Sequence, residues 1–150
     1  MLPAIPRFRD HEIELALTEY GIQSVHRVPA YQFRMVHSTS REELGTIRLR
    51  VGSTPHIERY AGHIGYAVHP QHRGHHYAAK SLRLLLTFAH PLEINPIWIT
   101  CDPDNIASRR TLDSIGAQFI EVVNVPRDCI IHKSGHPQKC RYRITLEAST

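Results

Sequence analysis

Residues 62–86, GHIGYAVHPQHRGHHYAAKSLRLLL, carry three local signals in sequence order. Ile64, Tyr66 and Val68 alternate with smaller neighbours, as one face of a strand does. Pro70 opens a turn, and Arg73-Gly74-His75-His76 form a basic, glycine-bearing loop. From about Tyr77 the apolar residues take helical spacing. Strand, loop and helix N-terminus in that order make an anion-binding device. The first-turn N–H groups have no intrahelical acceptor, and the helix dipole places positive charge there. The ligand this predicts is a nucleotide-like pyrophosphate.

Working outward, a helix is predicted over 78–89, with Ala78, Leu82, Leu85, Leu86 and Ala89 on one stripe and Pro91 ending it. Residues 97–101 (IWITC) read as a short strand buried on both faces. Asp102-Pro103-Asp104-Asn105 supply turn and N-cap chemistry for a second helix carrying Ala107, Thr111, Leu112 and Ile115 and ending at Gly116. Upstream, 31–36 and 44–51 alternate as strands around a polar turn at 38–42, and 52–55 is a loop. Ile47, Leu49 and Val51 share one face, Arg48 and Arg50 the other. Residues 11–20 (HEIELALTEY) read as a short helix with Gly21 as C-cap. Two closing strands, at 118–125 and 139–146, flank a polar insert in which Ile130-Ile131 reads as strand. Alternation of strand and helix in the middle predicts parallel pairing there, with antiparallel edges: a mixed α/β sheet in one domain, 1–150.

Composition bounds the function. The chain has 150 residues, 41% hydrophobic and 21% charged, enough to bury a core without disulfide or metal support. The longest apolar stretch, around 82–89, is interrupted by Arg83 and Thr87, well short of the roughly 20 residues of a membrane span. The opening MLPAIPRFRDHE lacks the apolar centre of a signal peptide, so a cytoplasmic protein is expected. Three widely spaced cysteines, Cys101, Cys129 and Cys140, argue for reduced thiols. A formal charge of +4 and a pI near 9.2 favour anionic partners. The absence of a basic run or an aromatic-basic platform makes nucleic acid an unfavoured one.

Two blocks together resemble the GNAT superfamily of acyl-CoA N-acyltransferases. Ile64-Gly65-Tyr66-Ala67-Val68-His69-Pro70 followed by Arg73-Gly74-His75-His76-Tyr77-Ala78 is similar to the superfamily's acetyl-CoA motif. Ile99 through Ser108 and on to Gly116 resembles the strand–helix unit lying along the pantetheine arm. The likeness covers roughly 28–146 and is nearest to a group of bacterial acetyltransferases with GHIGY and ITCDxDNxxS segments. It implies a single-domain, mixed but mostly antiparallel twisted sheet flanked by helices. The implied reaction moves an acetyl group from acetyl-CoA, as co-substrate, to a primary amine of a small molecule or peptide by direct attack. Edge-strand homodimers are also compatible with it.

The resemblance assigns cofactor contacts to Tyr66, Ala67, Val68, Arg73, Gly74, His75, His76, Tyr77, Ala78, Asn105 and Ser108. The Val68 amide is the implied donor to the thioester carbonyl oxygen as it gains charge. Asn105 and Ser108 are given the pantetheine amides or the proton path near sulfur, beside plain capping roles. His63 is the implied catalytic base; the alternatives are Glu58, with Tyr60 nearby, no dedicated side-chain base, and a His63 that strand alternation turns to the other face and that is hydrogen-bonded for structure alone. The departures are His76, where the motif carries glycine, and Leu112, where many members carry a tyrosine that protonates the leaving thiolate; Leu112 is expected to pack in the core.

Other chemistries compete. Cys129, His132, His136 and Cys140 offer zinc-type ligands, but their spacing fits no common site, and no metal is expected. His69, His72, His75 and His76 lack acidic companions in sequence and are read as a titratable positive rim. Cys101 ends an apolar strand and is a poor nucleophile. The alternative function is a non-catalytic CoA-binding regulatory module of the same fold. The acceptor would be shaped by the segment before Pro29 and by the loops at 52–60 and 129–139, where the likeness is weakest; the first strand of the fold is not recognisable.

Overall fold

In the computed structural model, which describes residues 8–22 and 26–146, alternating apolar residues pair into two antiparallel sheets. Along the chain lie β1 (Phe8–Arg9), β2 (Ile13–Ile22), β3 (Pro29–His37), β4 (Glu43–Arg50), β5 (Ile64–Val68), α1 (Tyr77–Ala89), β6 (Ile97–Cys101), α2 (Ile106–Ser114), β7 (Gln118–Asn124), α3 (Ile130–Lys133) and β8 (Gln138–Ile144). The first sheet runs in sequence order from β1 to β5; the second is ordered β6-β8-β7. The α/β fold with antiparallel sheets flanked by helices is therefore present. The sequence expectations for residues 1–7, including the reading of the opening stretch, lie outside the described residues.

The core forms where the strand periodicity of β4 meets the helical periodicity of α1. Ile47 and Leu49 are fully buried beside Phe33, Ile64, Leu82 and Leu85. Phe88 of α1 meets Phe8 and Tyr31 edge-on, with ring centroids 5.1 and 4.9 Å away. The buried stripe of α1 is rotated slightly from expectation: Tyr77, Ala79 and Phe88 are inside, while Ala78 and Leu86 are only half-buried.

Three expectations are corrected. Residues 11–20 are not a helix, because Ile13 and Leu15 alternate into the core and β2 pairs with β3 from Ile13↔His37 onward. Helix propensity in Glu, Leu and Ala is a weak preference that sheet packing overrides. This segment also supplies an early strand that sequence reading did not recognise. Parallel pairing in the middle is replaced by a split: every ladder among the described residues is antiparallel, and β5 and β6 meet only at their starts. Ile130-Ile131 opens the short α3, not a strand.

Candidate active site

The split between β5 and β6 is pinned at one end. The His63 N–H donates to the Trp98 carbonyl (2.6 Å), and the Trp98 N–H returns a bond to His63 Nδ1 (2.9 Å). Gly62, at φ 76°, lies against the β6 backbone; a Cβ there would stand 3.1 Å from the Thr100 amide nitrogen and from the Trp98 carbonyl oxygen. Thr100 Oγ1 donates to the Tyr60 carbonyl (2.7 Å), and both terminal arms of the Arg141 fork tie this region together, Nε and Nη2 to the Glu58 carbonyl and Nη1 to Glu121. Beyond this pin no ladder joins the strands, and a cleft of about 860 Å³ opens.

Two sets of amides face the open end. The His69 N–H bonds the Leu44 carbonyl (2.8 Å) and makes Gly45↔Val68 a non-hydrogen-bonded pair, so the Val68 N–H turns away from β4 toward the gap. Gly45 permits this close approach, since a Cβ would lie 2.2 Å from the Ala67 carbonyl oxygen. At the end of β5 the chain passes Gly74 (φ 92°) and His76 (φ 62°) into α1. The first helical bond is from the Lys80 N–H to the His76 carbonyl, and the amides of Gly74 through Ala79 have no protein acceptor among the described residues. Residues 73–76 are exposed, whereas Tyr77 and Ala79 are buried and Ala78 is half-buried. Arg73 Nε folds back onto the Val68 carbonyl (3.2 Å).

The cleft wall mixes buried polar groups with charge. Burial pushes the Tyr66 phenol up to about 12, with the nearby Ser108 hydroxyl drawing it partly back. The Tyr66 hydroxyl has no hydrogen-bond partner among the described residues. Burial pushes the Cys101 thiol up to about 11. Burial alone would raise the Asp102 carboxyl, but Lys139 and His136 outweigh it and hold the group below the usual carboxylate range. His136 Nδ1 lies 2.6 Å from one carboxylate oxygen and Lys139 Nζ 3.0 Å from the other. Asn105 caps α2, its side chain accepting from the Ser108 N–H (3.1 Å), and both residues line the cleft.

A family model for the acetyltransferase (GNAT) domain matches residues 3–118. The chain belongs to the GNAT acetyltransferase family. Solved structures of this GNAT fold resemble it at low identity and speak for the fold alone. A GNAT-family acetyltransferase from Bacillus anthracis superposes with a TM-score of 0.60 at 21% identity, over 76% of this chain and 65% of that one. RimL, a ribosomal L7/L12 α-N-protein acetyltransferase in complex with coenzyme A, gives 0.70 at 13% identity, over 96% of this chain and 100% of that one. The microcin C7 self-immunity acetyltransferase MccE, in complex with acetyl-CoA and AMP, gives 0.58 at 17% identity, over 78% and 61%. This chain thus spans just under two thirds of the Bacillus anthracis and MccE structures. Among curated proteins none matches it.

Within this GNAT chain the sequence-derived residues separate into groups. Tyr66, Asn105 and Ser108 line the cleft, Val68 turns its amide toward the gap, and 73–78 form the loop at its open end. His63 does not line the cleft; it is buried, at 2% exposure. Its Nδ1 is held by the Trp98 N–H, and its Nε2 lies 3.1 Å from Ser53 Oγ, which donates to Glu58 Oε2. Burial pushes its pKa down to about 4 against the pull of Glu58. Leu112 is fully buried in the core. The four possible zinc ligands do not converge: Cys140 is buried opposite Cys101, His136 is on Asp102, and Cys129 lies 3.9 Å from His56 Nδ1.

The histidine rim is corrected, because His69 pairs with Glu43 (2.7 Å) and His72 lies 3.6 Å from Glu42, carboxylates distant in sequence but brought alongside by β4. Sequence reasoning missed His26, Arg48, Arg50 and Lys139 on the cleft wall. For the two arginines the available signal was the Arg-x-Arg spacing opposite Ile47 and Leu49.

Proposed function

We propose that the protein moves an acetyl group from acetyl-CoA to a primary amine of a small molecule or peptide by direct attack in the β5/β6 cleft. The observation that carries this reading is the line of free amides: Gly74 through Ala79 suit a diphosphate, and the Val68 N–H, on the same strand end, suits a thioester carbonyl. Tyr66, Asn105 and Ser108 line the cleft into which the arm would lead, which supports this reading.

The amine nitrogen attacks the carbonyl carbon, the C–S bond breaks, and its electron pair leaves on sulfur. A lysine-like amine has a pKa of about 10.4, so exposing its lone pair at pH 7 costs on the order of 4–5 kcal/mol. A thiol of pKa about 8.5 leaves far more readily, so Leu112 in place of a proton donor does not prevent turnover. We assign His63 to bracing β5 against β6 instead of proton transfer, because its Nδ1 lone pair is already engaged by Trp98. The amine proton then passes to solvent in the cleft, and the departing thiolate takes its proton from solvent.

Titration calorimetry with acetyl-CoA followed by thiol release across an amine panel tests the reading. Saturable binding with amine-dependent thiol release is expected. No heat at millimolar coenzyme A would refute it, and binding without transfer to any amine would favour a regulatory module.

A further inference from the structure

The cleft wall far from the phosphate loop is cationic. Arg48 and Arg50 are two apart on β4, so both project from the face opposite Ile47 and Leu49. Arg48 stands across from Gly65 in the ladder, and a Cβ on Gly65 would meet only open space. Arg48 and Gly65 both line the cleft. Arg48 Nε donates to Gln32 Oε1 (2.9 Å), and no carboxylate is within ion-pair distance of Arg48 among the described residues.

Its neighbour Arg50 adds to the positive field, and two neutral imidazoles lie close by. Arg50 Nη1 is held by the Gly62 carbonyl (2.8 Å); burial and then the charge of Arg48 push its pKa down to about 10, so it stays charged at pH 7. His26 is pushed down to about 4 by burial, Arg50, His56 and Arg48, and its Nδ1 is buried without a hydrogen-bond partner among the described residues. Its ring lies 5.2 Å from that of His56, whose Nε2 is likewise unpartnered there.

Neither carboxylate of the cleft wall pairs with Arg48 among the described residues. Asp102, on the opposite wall, is occupied by Lys139 and His136. Glu19 and Arg48 both stand opposite Gln32, one on each side of β3, with backbones on the order of 10 Å apart. At the mouth Ile22 and Ile130 are 75% and 54% exposed and offer an apolar lip.

We propose that the acceptor amine carries an oxyanion, a carboxylate or a phosphate, which docks on the Arg48 guanidinium in the space beside Gly65. Two like charges held together in a partly dry cleft repel, and an anion between them and water relieves that repulsion while matching the planar fork. The cofactor's phosphates are not the anion in question. Gly65 precedes Val68 by three residues, roughly 10 Å along the strand and away from the loop at its other end. That separation also favours an amine set several bonds from its oxyanion.

This inference rests on the acetyl-transfer reading, and matched acceptors keep the two distinguishable. One arm compares ω-amino acids of increasing length with their amides. The other compares aminoalkyl phosphates with the corresponding amino alcohols. The anionic member of at least one pair is expected to show a kcat/KM roughly 10- to 100-fold higher, and the better arm identifies the source of the oxyanion. In Arg48→Gln that ratio should fall toward one; Arg48→Lys, which keeps the charge but loses the fork, should retain part of it, with thermal melts reporting folding of both. Equal rates within every pair, or a preference that survives in Arg48→Gln, overturn the inference and leave acetyl transfer standing. Thiol release with no amine at all overturns both.

Discussion

His76 is the residue at which the chain departs most visibly from its family motif, and the backbone supplies the reason glycine suits that position. At φ 62° it occupies the left-handed region, which costs an L-residue roughly 1–2 kcal/mol, though histidine enters it more readily than most. The imidazole is exposed, and its amide, like those of its neighbours, has no protein acceptor among the described residues. Replacing His76 by Gly should therefore stabilise the fold by about 0.5–1 kcal/mol, after allowing for the greater freedom of glycine in the unfolded chain. Thermal melts should show a rise of about 1–4 °C for a domain of this size; a lower melting temperature would rule out backbone strain at this site. The motif glycine was legible as missing from sequence alone, but the sign of φ was not, since it depends on how the loop must turn to reach α1.

At the scale of the elements, the pin between β5 and β6 includes one titratable ring. With both ring nitrogens engaged and a folded pKa of about 4, His63 is neutral in the native protein, whereas in the unfolded chain it titrates at about 6.5. Between those values the unfolded state binds the extra proton, so stability rises with pH across this window. The contribution is complete above about 6.5 and is lost as pH falls toward 4, on the order of 3 kcal/mol at about 1.36 kcal/mol per unit. His26 and His56, also pushed down first by burial, act in the same direction. Denaturant titrations from pH 4 to 7.5 should give a rising stability curve that is flatter in His63→Asn, which keeps an acceptor for the Trp98 amide but does not titrate. An identical slope in the variant would remove His63 from this account. Most elements were legible from periodicity, as at 31–36, 78–89 and 97–101. The strand at 13–22 was not, because its Ile, Leu and Ala spacing satisfies both periods until a partner strand selects one.

For the molecule as a whole, the Val68 amide, the pin and the cationic wall lie along one gap between two sheets, which suits the proposed direct transfer better than passage through an acetylated protein. Cys101 lines that gap, but burial raises its thiol to about 11, leaving only about one molecule in ten thousand as thiolate at pH 7. Intact-protein and peptide mass spectrometry after incubation with acetyl-CoA alone should find no acetyl group on Cys101; a stoichiometric adduct would establish a two-step route. The sequence by itself determined the glycine-bearing loop ahead of α1, the α2 cap and the family, because each rests on contiguous residues whose backbone chemistry is local. Only the tertiary structure decided that His63 braces instead of opening into the cleft, that His69 and His72 meet carboxylates, and that Arg48 and Gly65 both line the cleft. Those outcomes depend on strand register and on where two sheets part, and a chain read one neighbourhood at a time contains neither.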